Sequence, residues 1–254
     1  MQSETVLPRQ SGTLYGIGAG PGAPDLLTLR AVNVLKQCPV ICIPASTGRR
    51  SYAGTIIESF VDRSQQMIVT VHFPMQRVSE QALPARNAAV ATVLSYLRSG
   101  KDVAFVTEGD PLLYSTFGYL LEAVRHEDSG LRIEVIPGVT SITAAAASAQ
   151  IPLTMWDESL AIVPAKYVLE QQSLEHVRSL FQLFTTVVFL KVNSVFDALL
   201  DRLEELDLVQ HAVFVRRCCT DAEEVVFDVP RLRGQAVEYF SLVIVRRPHA
   251  ICHG

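Results

Sequence analysis

Glycine stands at every second position from Gly16 to Gly22, with Pro21 between the last two, directly after an apolar run that begins at Leu14. Glycine contributes no side chain to a core and loses the most backbone freedom on folding. A run this dense therefore marks a bend where main chain closes on other main chain or on a ligand. Behind it, Leu26, Leu29, Val32 and Leu35 recur at three-residue spacing, with Asp25 in the N-cap position of a helix expected over 26–36. The segment reads as strand, tight turn, helix.

Two common phosphate-binding readings of such a turn fail. Gly18-Ala-Gly20-Pro-Gly-Ala23 fits the spacing of a dinucleotide fingerprint, but that fold also needs an acidic residue about 20 positions on to hold ribose hydroxyls. Between Asp25 and Glu58 the chain has no Asp or Glu. Pro21 also removes an amide donor where pyrophosphate oxygens would want one. A P-loop would place Gly-Lys-Ser/Thr after the glycines, and here Gly22 is followed by Ala23 and Pro24.

Strand and helix patterns alternate up to about residue 150. Strands are expected at 14–17, 40–43, 67–71, 102–106 and 132–136, and helices at 26–36, 55–60, 84–99 and 115–125, with Pro137-Gly-Val-Thr-Ser141 opening an alanine-rich helix to Gln150. This order predicts a mainly parallel sheet with helices on both faces. The character changes after Ile151-Pro-Leu-Thr-Met-Trp-Asp157, where a second α/β domain is expected. It carries strands at 160–163, 186–191, 212–216 and 242–246, helices at 168–184 and 194–206, and a short β-turn-α insertion at 223–235. The two domains are placed at 13–154 and 155–247.

Other features bound the function. A formal charge of −4 argues against a general nucleic-acid binder, which carries a basic stripe. The run 186–192 is far shorter than the ~20 residues that span a bilayer. No basic segment followed by an apolar one opens the chain, so no signal peptide and a cytoplasmic location are expected. Five cysteines, two of them adjacent at Cys218-Cys219, do not make a disulfide framework. Cys38 and Cys42 would need a further Cys at 45 to continue an iron–sulfur pattern, and Ala45 stands there, so both read as small core residues. His249, Cys252 and His253 offer at most adventitious metal binding, and no protein-bound metal is expected.

Three turns share one grammar: Gly and Pro lock a bend directly after an apolar strand. They are Gly18-Ala-Gly-Pro-Gly22, Glu108-Gly-Asp-Pro111 and Pro137-Gly-Val-Thr-Ser141. In an open parallel sheet, ligands bind at such carboxyl ends of strands. Asp110, a carboxylate at a strand terminus, is suited to holding ribose hydroxyls or an amino group.

The segments 18–28, 103–111 and 135–141, in this order, resemble the S-adenosylmethionine-dependent tetrapyrrole methylases, and the resemblance runs from Thr13 to about Arg247. Further details resemble the branch that methylates C20 of precorrin-2: Leu14-Tyr-Gly16, Phe73-Pro-Met75, Gly109 to Phe117, Val188 to Val192 and Tyr239 to Leu242. The resemblance implies a two-domain α/β fold, with a mainly parallel sheet in the first domain, a mixed second domain, and cofactor and macrocycle held between them. It implies S-adenosylmethionine as methyl donor, a tetrapyrrole as substrate and a homodimer as assembly.

Residue by residue, the resemblance puts Pro21 at one wall of the cofactor site. Glu108, Gly109 and Asp110 line it, and Leu113 packs on the adenosyl moiety. Thr140 and Ser141 match contacts to the methionine end at a helix N-terminus, and Leu190 and Cys218 match positions around the adenine. The chain departs from the family at Ala23, where an Asp is usual, and at Cys218-Cys219, where a small residue or glycine is common. Because the macrocycle bears many carboxylates, Arg49, Arg50, Arg77 and Lys166 are the expected cations at its binding surface. His72, Tyr114 and Glu108 are conceivable bases, and the residues single out none. Another branch of the family, a diphthine-synthase-like protein methylase, and a non-catalytic module binding S-adenosylmethionine are the alternatives.

Overall fold

A computed structural model describes residues 11–45, 51–73, 83–170 and 174–247. In the first part of the chain, β1 (Leu14–Gly18), β2 (Val40–Ala45), β3 (Met67–His72), β4 (Val103–Thr107) and β5 (Ile133–Ile136) form one sheet in the order β3-β2-β4-β1-β5. Every neighbouring pair is parallel, as the alternation of strand and helix predicts. Successive side chains of a strand face opposite ways, and both faces are buried here. Val40, Cys42, Val103 and Phe105 point to one core, under α3 (Leu83–Arg98) and α4 (Phe117–Glu127). Ile41, Ile43, Ala104 and Val106 point to the other, under α1 (Leu29–Gln37) and α2 (Tyr52–Ile56).

This partition follows from the order of the strands. The chain steps from β1 to β2 to β3 in one direction across the sheet, then from β3 to β4 to β5 in the other. Crossovers between parallel strands are right-handed, so the two directions put their helices on opposite faces. The reversal falls between the neighbours β1 and β4. Their carboxyl ends flank the crevice where open α/β sheets bind ligands.

The described chain divides by its internal contacts into two units, one up to Thr140 and one from Ser141. The second unit opens with α5 (Ser141–Ser148), which is tied to it by hydrogen bonds from Ser148 Oγ to Glu223 Oε2 and from Cys218 Sγ to the Ser141 carbonyl. Its sheet joins β6 (Leu160–Pro164), β7 (Thr186–Leu190), β8 (Ala212–Arg216), β9 (Glu224–Val226) and β10 (Ser241–Arg246) in the order β6-β7-β10-β8-β9. Only the β6–β7 pair is parallel, so the sheet is mixed, as expected. Phe189, Phe214 and Val243 pack with Phe196, Leu199, Leu200 and Leu203 of α8 (Phe196–Glu205). Among the described residues, no helix is long and apolar enough to cross a membrane.

Two local expectations are corrected. The first helix begins at Leu29: Asp25 lies in a 3₁₀ turn, Leu27 is extended and buried, and Thr28 caps the helix by accepting from the Ala31 amide at 3.2 Å. The segment expected as a helix over 55–60 is α2, beginning at Tyr52 behind the Ser51 cap, and then a 3₁₀ turn at Glu58–Phe60. Of the expected 168–184 helix, the structure describes α6 (Ala165–Glu170) and α7 (Leu174–Leu183), and residues 171–173 lie outside the described residues.

Candidate active site

The glycine turn after β1 lies directly against the turn after β4. Ala19 N donates to the Thr107 carbonyl at 2.8 Å, and Gly20 and Gly109 exchange both backbone hydrogen bonds, at 3.2 and 2.8 Å. The turn after β5 closes onto the same point. A Cβ on Gly18 would stand 2.6 Å from the Gly109 carbonyl oxygen and 2.7 Å from Gly138 Cα. One on Gly138 would collide with that same oxygen and stand 2.8 Å from Gly18 Cα. The three turns therefore stack main chain on main chain, a packing open only to glycine at these two positions.

Side chains lock the stack. Asp110 accepts from the Leu112 amide through Oδ1 at 2.9 Å and from the Gly138 amide through Oδ2 at 3.1 Å, strapping the second turn to the third. A carboxylate has about four acceptor positions, so Asp110 keeps capacity for a ligand beyond these two. Half-buried Glu108 accepts from the Ala53 amide in the first turn of α2 at 3.3 Å. Burial pushes its pKa up, against two backbone hydrogen bonds that lower it. Above the stack the space is open: Gly109, at a φ of +62°, would present a Cβ to nothing within 4 Å.

Of the expected positions, Pro21, Glu108, Gly109, Asp110 and Thr140 belong to these three turns, and Leu113 follows the second, its amide donating to the Asp110 carbonyl at 3.4 Å. Ala23 supplies no side-chain cap to its 3₁₀ turn, which is closed instead by backbone bonds from Leu26 N to the Ala23 carbonyl and Leu27 N to the Pro24 carbonyl. Tyr114 follows the second turn in a left-handed conformation, φ +52°, and His72 ends the edge strand β3.

In the second unit the structure brings Ser141 and Cys218 together, the thiol donating to the Ser141 carbonyl at 3.8 Å. Burial pushes the Cys218 thiol up to about 12, with Cys219 and Glu223 adding to the shift. The bulk of Cys218 is thus absorbed in packing. The left-handed conformations that glycine would suit fall instead on its neighbours, Arg217 and Cys219. Leu190 ends β7, and Lys166 follows the end of β6. Arg49, Arg50 and Arg77 lie outside the described residues.

A model of one family, the Tetrapyrrole (Corrin/Porphyrin) Methylases, matches residues 13–231. The chain belongs to this family. Among relatives of this methylase, the cobalt-precorrin-2 C(20)-methyltransferase of Salmonella typhimurium is 29% identical over 245 residues, covering 93% of this chain and 97% of that protein. A probable cobalt-precorrin-2 C(20)-methyltransferase of Methanocaldococcus jannaschii is 33% identical over 241 residues, covering 92% and 96%. A solved uroporphyrin-III C-methyltransferase of Thermus thermophilus, complexed with S-adenosyl homocysteine, shares the fold at a TM-score of 0.65 and 24% identity, covering 92% of this chain and 97% of that one.

The sequence points to the three turns but misses what holds them. Gly18 and Gly138 carry the closest contacts, and their signal is only that each is a glycine in a turn. Lys191, directly after Leu190, has a φ of +57° and gives no sign of it in the sequence. Such a left-handed non-glycine residue costs ~1–3 kcal/mol and gathers at functional sites.

Gly138→Ala is expected to destabilise the methylase by several kcal/mol, since the new Cβ meets backbone on two sides. Gly109→Ala adds only the left-handed penalty of roughly 1 kcal/mol, because it meets open space. Urea titration of both variants measures the difference, and equal losses would contradict the stacked arrangement. Glu108 has a raised folded pKa, so its ionisation penalises the folded state. That penalty is absent below the ordinary pKa of 4.5, grows as pH rises toward the folded value, and is constant beyond. Thermal melts should show Glu108→Gln more stable than wild type at pH 7, with the gain vanishing near pH 4.

Proposed function

We propose that this methylase transfers the methyl group of S-adenosylmethionine to C20 of precorrin-2 or of its cobalt-bearing counterpart, cobalt-factor II. The observation that carries this reading is near-full-length likeness to two C20 methyltransferases, one from a bacterium and one from Methanocaldococcus jannaschii.

The residues present fit the cofactor. A floor of stacked glycines, open space over Gly109, and the strapped carboxylate of Asp110 make a cradle at the carboxyl ends of β1 and β4. Pro21, Glu108, Gly109, Asp110, Leu113 and Thr140 would hold the cofactor on the first unit; for Ser141, Leu190 and Cys218 a cofactor role is proposed on the family resemblance alone. When bound, S-adenosylmethionine supplies an electrophilic methyl carbon on its sulfonium.

The electron-rich meso carbon of the macrocycle is itself the nucleophile, so no side chain has to become one. The task left to this chain is orientation, which can supply ~7–11 kcal/mol of a barrier when the reacting atoms are held in line. The stacked turns suit that task because their geometry is fixed by backbone contact and does not depend on rotamers. Asp110, bonded to two amides, presents its remaining lone pairs in a fixed direction. Amides in the first turn of α5, which lack intrahelical acceptors, suit the methionine carboxylate. Arg49, Arg50, Arg77 and Lys166 are the proposed cations for the macrocycle. A cytoplasmic homodimer completes the reading, on family resemblance.

The test is mass spectrometry of precorrin-2 and cobalt-factor II, each incubated without oxygen with the protein and S-adenosylmethionine labelled in its methyl group. One labelled methyl on either substrate, placed at C20 by NMR, is the expected result, and the preferred substrate decides whether cobalt is inserted first. Cofactor binding with no methyl gained on either substrate would overturn the C20 assignment.

A further inference from the structure

In the second unit, β6 and β7 run parallel with Pro164 opposite Leu190, and β10 runs antiparallel to both β7 and β8. The carboxyl ends of β6, β7 and β8 and the start of β10 therefore share one edge. Lys166 stands two residues past the end of β6, Lys191 one past the end of β7, and Arg217 one past the end of β8. Tyr239 and Phe240 lead into β10, their rings edge to face at 5.3 Å and more than a third exposed, at 41% and 38%. The Arg217 amide donates to the Phe240 carbonyl at 2.9 Å, which fixes the aromatic pair to the end of β8.

Three of the seven non-glycine residues with positive φ among the described residues, Lys191, Arg217 and Cys219, gather on this edge. None is the Asn or Asp that tolerates the left-handed region best. A turn selected for stability alone would carry glycine there. Arg217 pairs with Glu238; Lys191 is half-buried, and burial pulls its ammonium pKa down. Partly exposed aromatic rings and cations that follow the strand ends give this edge the chemistry that suits a flat, apolar molecule fringed with carboxylates.

We propose that Lys191 binds a peripheral carboxylate of the tetrapyrrole, with Tyr239 and Phe240 offering ring surface to the macrocycle beside it. This rests on the tetrapyrrole reading above and adds a substrate-binding residue to it. The strained backbone at Lys191 is kept because it directs a cation, which glycine in the same turn cannot do.

The test uses the full chain and two readouts. In steady state, Lys191→Gln is expected to raise KM for precorrin-2 at least tenfold, while calorimetry shows the affinity for S-adenosylhomocysteine within twofold of wild type and Lys191→Arg recovers most of the loss. In fluorescence titration, which needs no turnover, Lys191→Gln should weaken binding of uroporphyrin III, an octacarboxylate, by a similar factor. Lys191→Gly should melt at a higher temperature than wild type and still lose the macrocycle. That separates a strained binding residue from a structural one, which would leave binding intact. Loss of uroporphyrin binding in a protein that methylates neither tetrapyrrole would leave the inference standing and sink the reading it rests on. No difference between wild type and Lys191→Gln in either measurement overturns the inference, as does a loss of S-adenosylhomocysteine affinity equal to the loss for the macrocycle.

Discussion

Main-chain contact between Gly18, Gly109 and Gly138 sets the geometry on which the rest of the first unit depends. Gly18 ends one strand, Gly109 and Gly138 follow two others, and none has a Cβ to hold the others apart. Their approach brings the ends of β1, β4 and β5 to one point, at the place where the strand order reverses. Parallel pairing aligns the strands but leaves the loops beyond them undetermined. The paired hydrogen bonds of Gly20 with Gly109 and the Asp110 strap to Gly138 carry that alignment past the end of the sheet. A cradle built in this way is preorganised, which suits a reaction whose catalysis is mostly alignment.

The second unit is organised by a different route. There the strand ends are aligned by a mixed ladder, and conformational strain is concentrated on side-chain-bearing residues in place of glycines. The first unit's turns give up side chains to bring backbone close. The second unit's turns accept strain to keep side chains in place. The contrast is one of means: backbone closeness in the first unit, retained side chains in the second.

Much of this was legible in the sequence, for identifiable reasons. Strands buried on both faces read as short apolar runs, and Gly-Pro punctuation after three of them marked the turns that the structure brings together. The limits were equally physical. Asp25 and Thr28 are both good N-caps, and the choice between them was made by Leu27, which extends into the core before the helix starts. The bond from the Ala53 amide to Glu108 spans 55 positions and that from the Gly138 amide to Asp110 spans 28, and no local pattern announces either. The left-handed backbone at Lys191 and Arg217 was invisible because neither residue type favours it. Tertiary context imposed it.

The central claim is that the turns after β1, β4 and β5 act as one cofactor site. Hydrogen–deuterium exchange of the full chain, with and without saturating S-adenosylhomocysteine, tests it most directly. The account predicts that exchange slows together in segments 15–23, 105–113 and 137–145, because a ligand seated on the stack restrains all three turns at once. Slowing confined to one of these segments, or falling elsewhere while calorimetry shows the ligand bound, would contradict it.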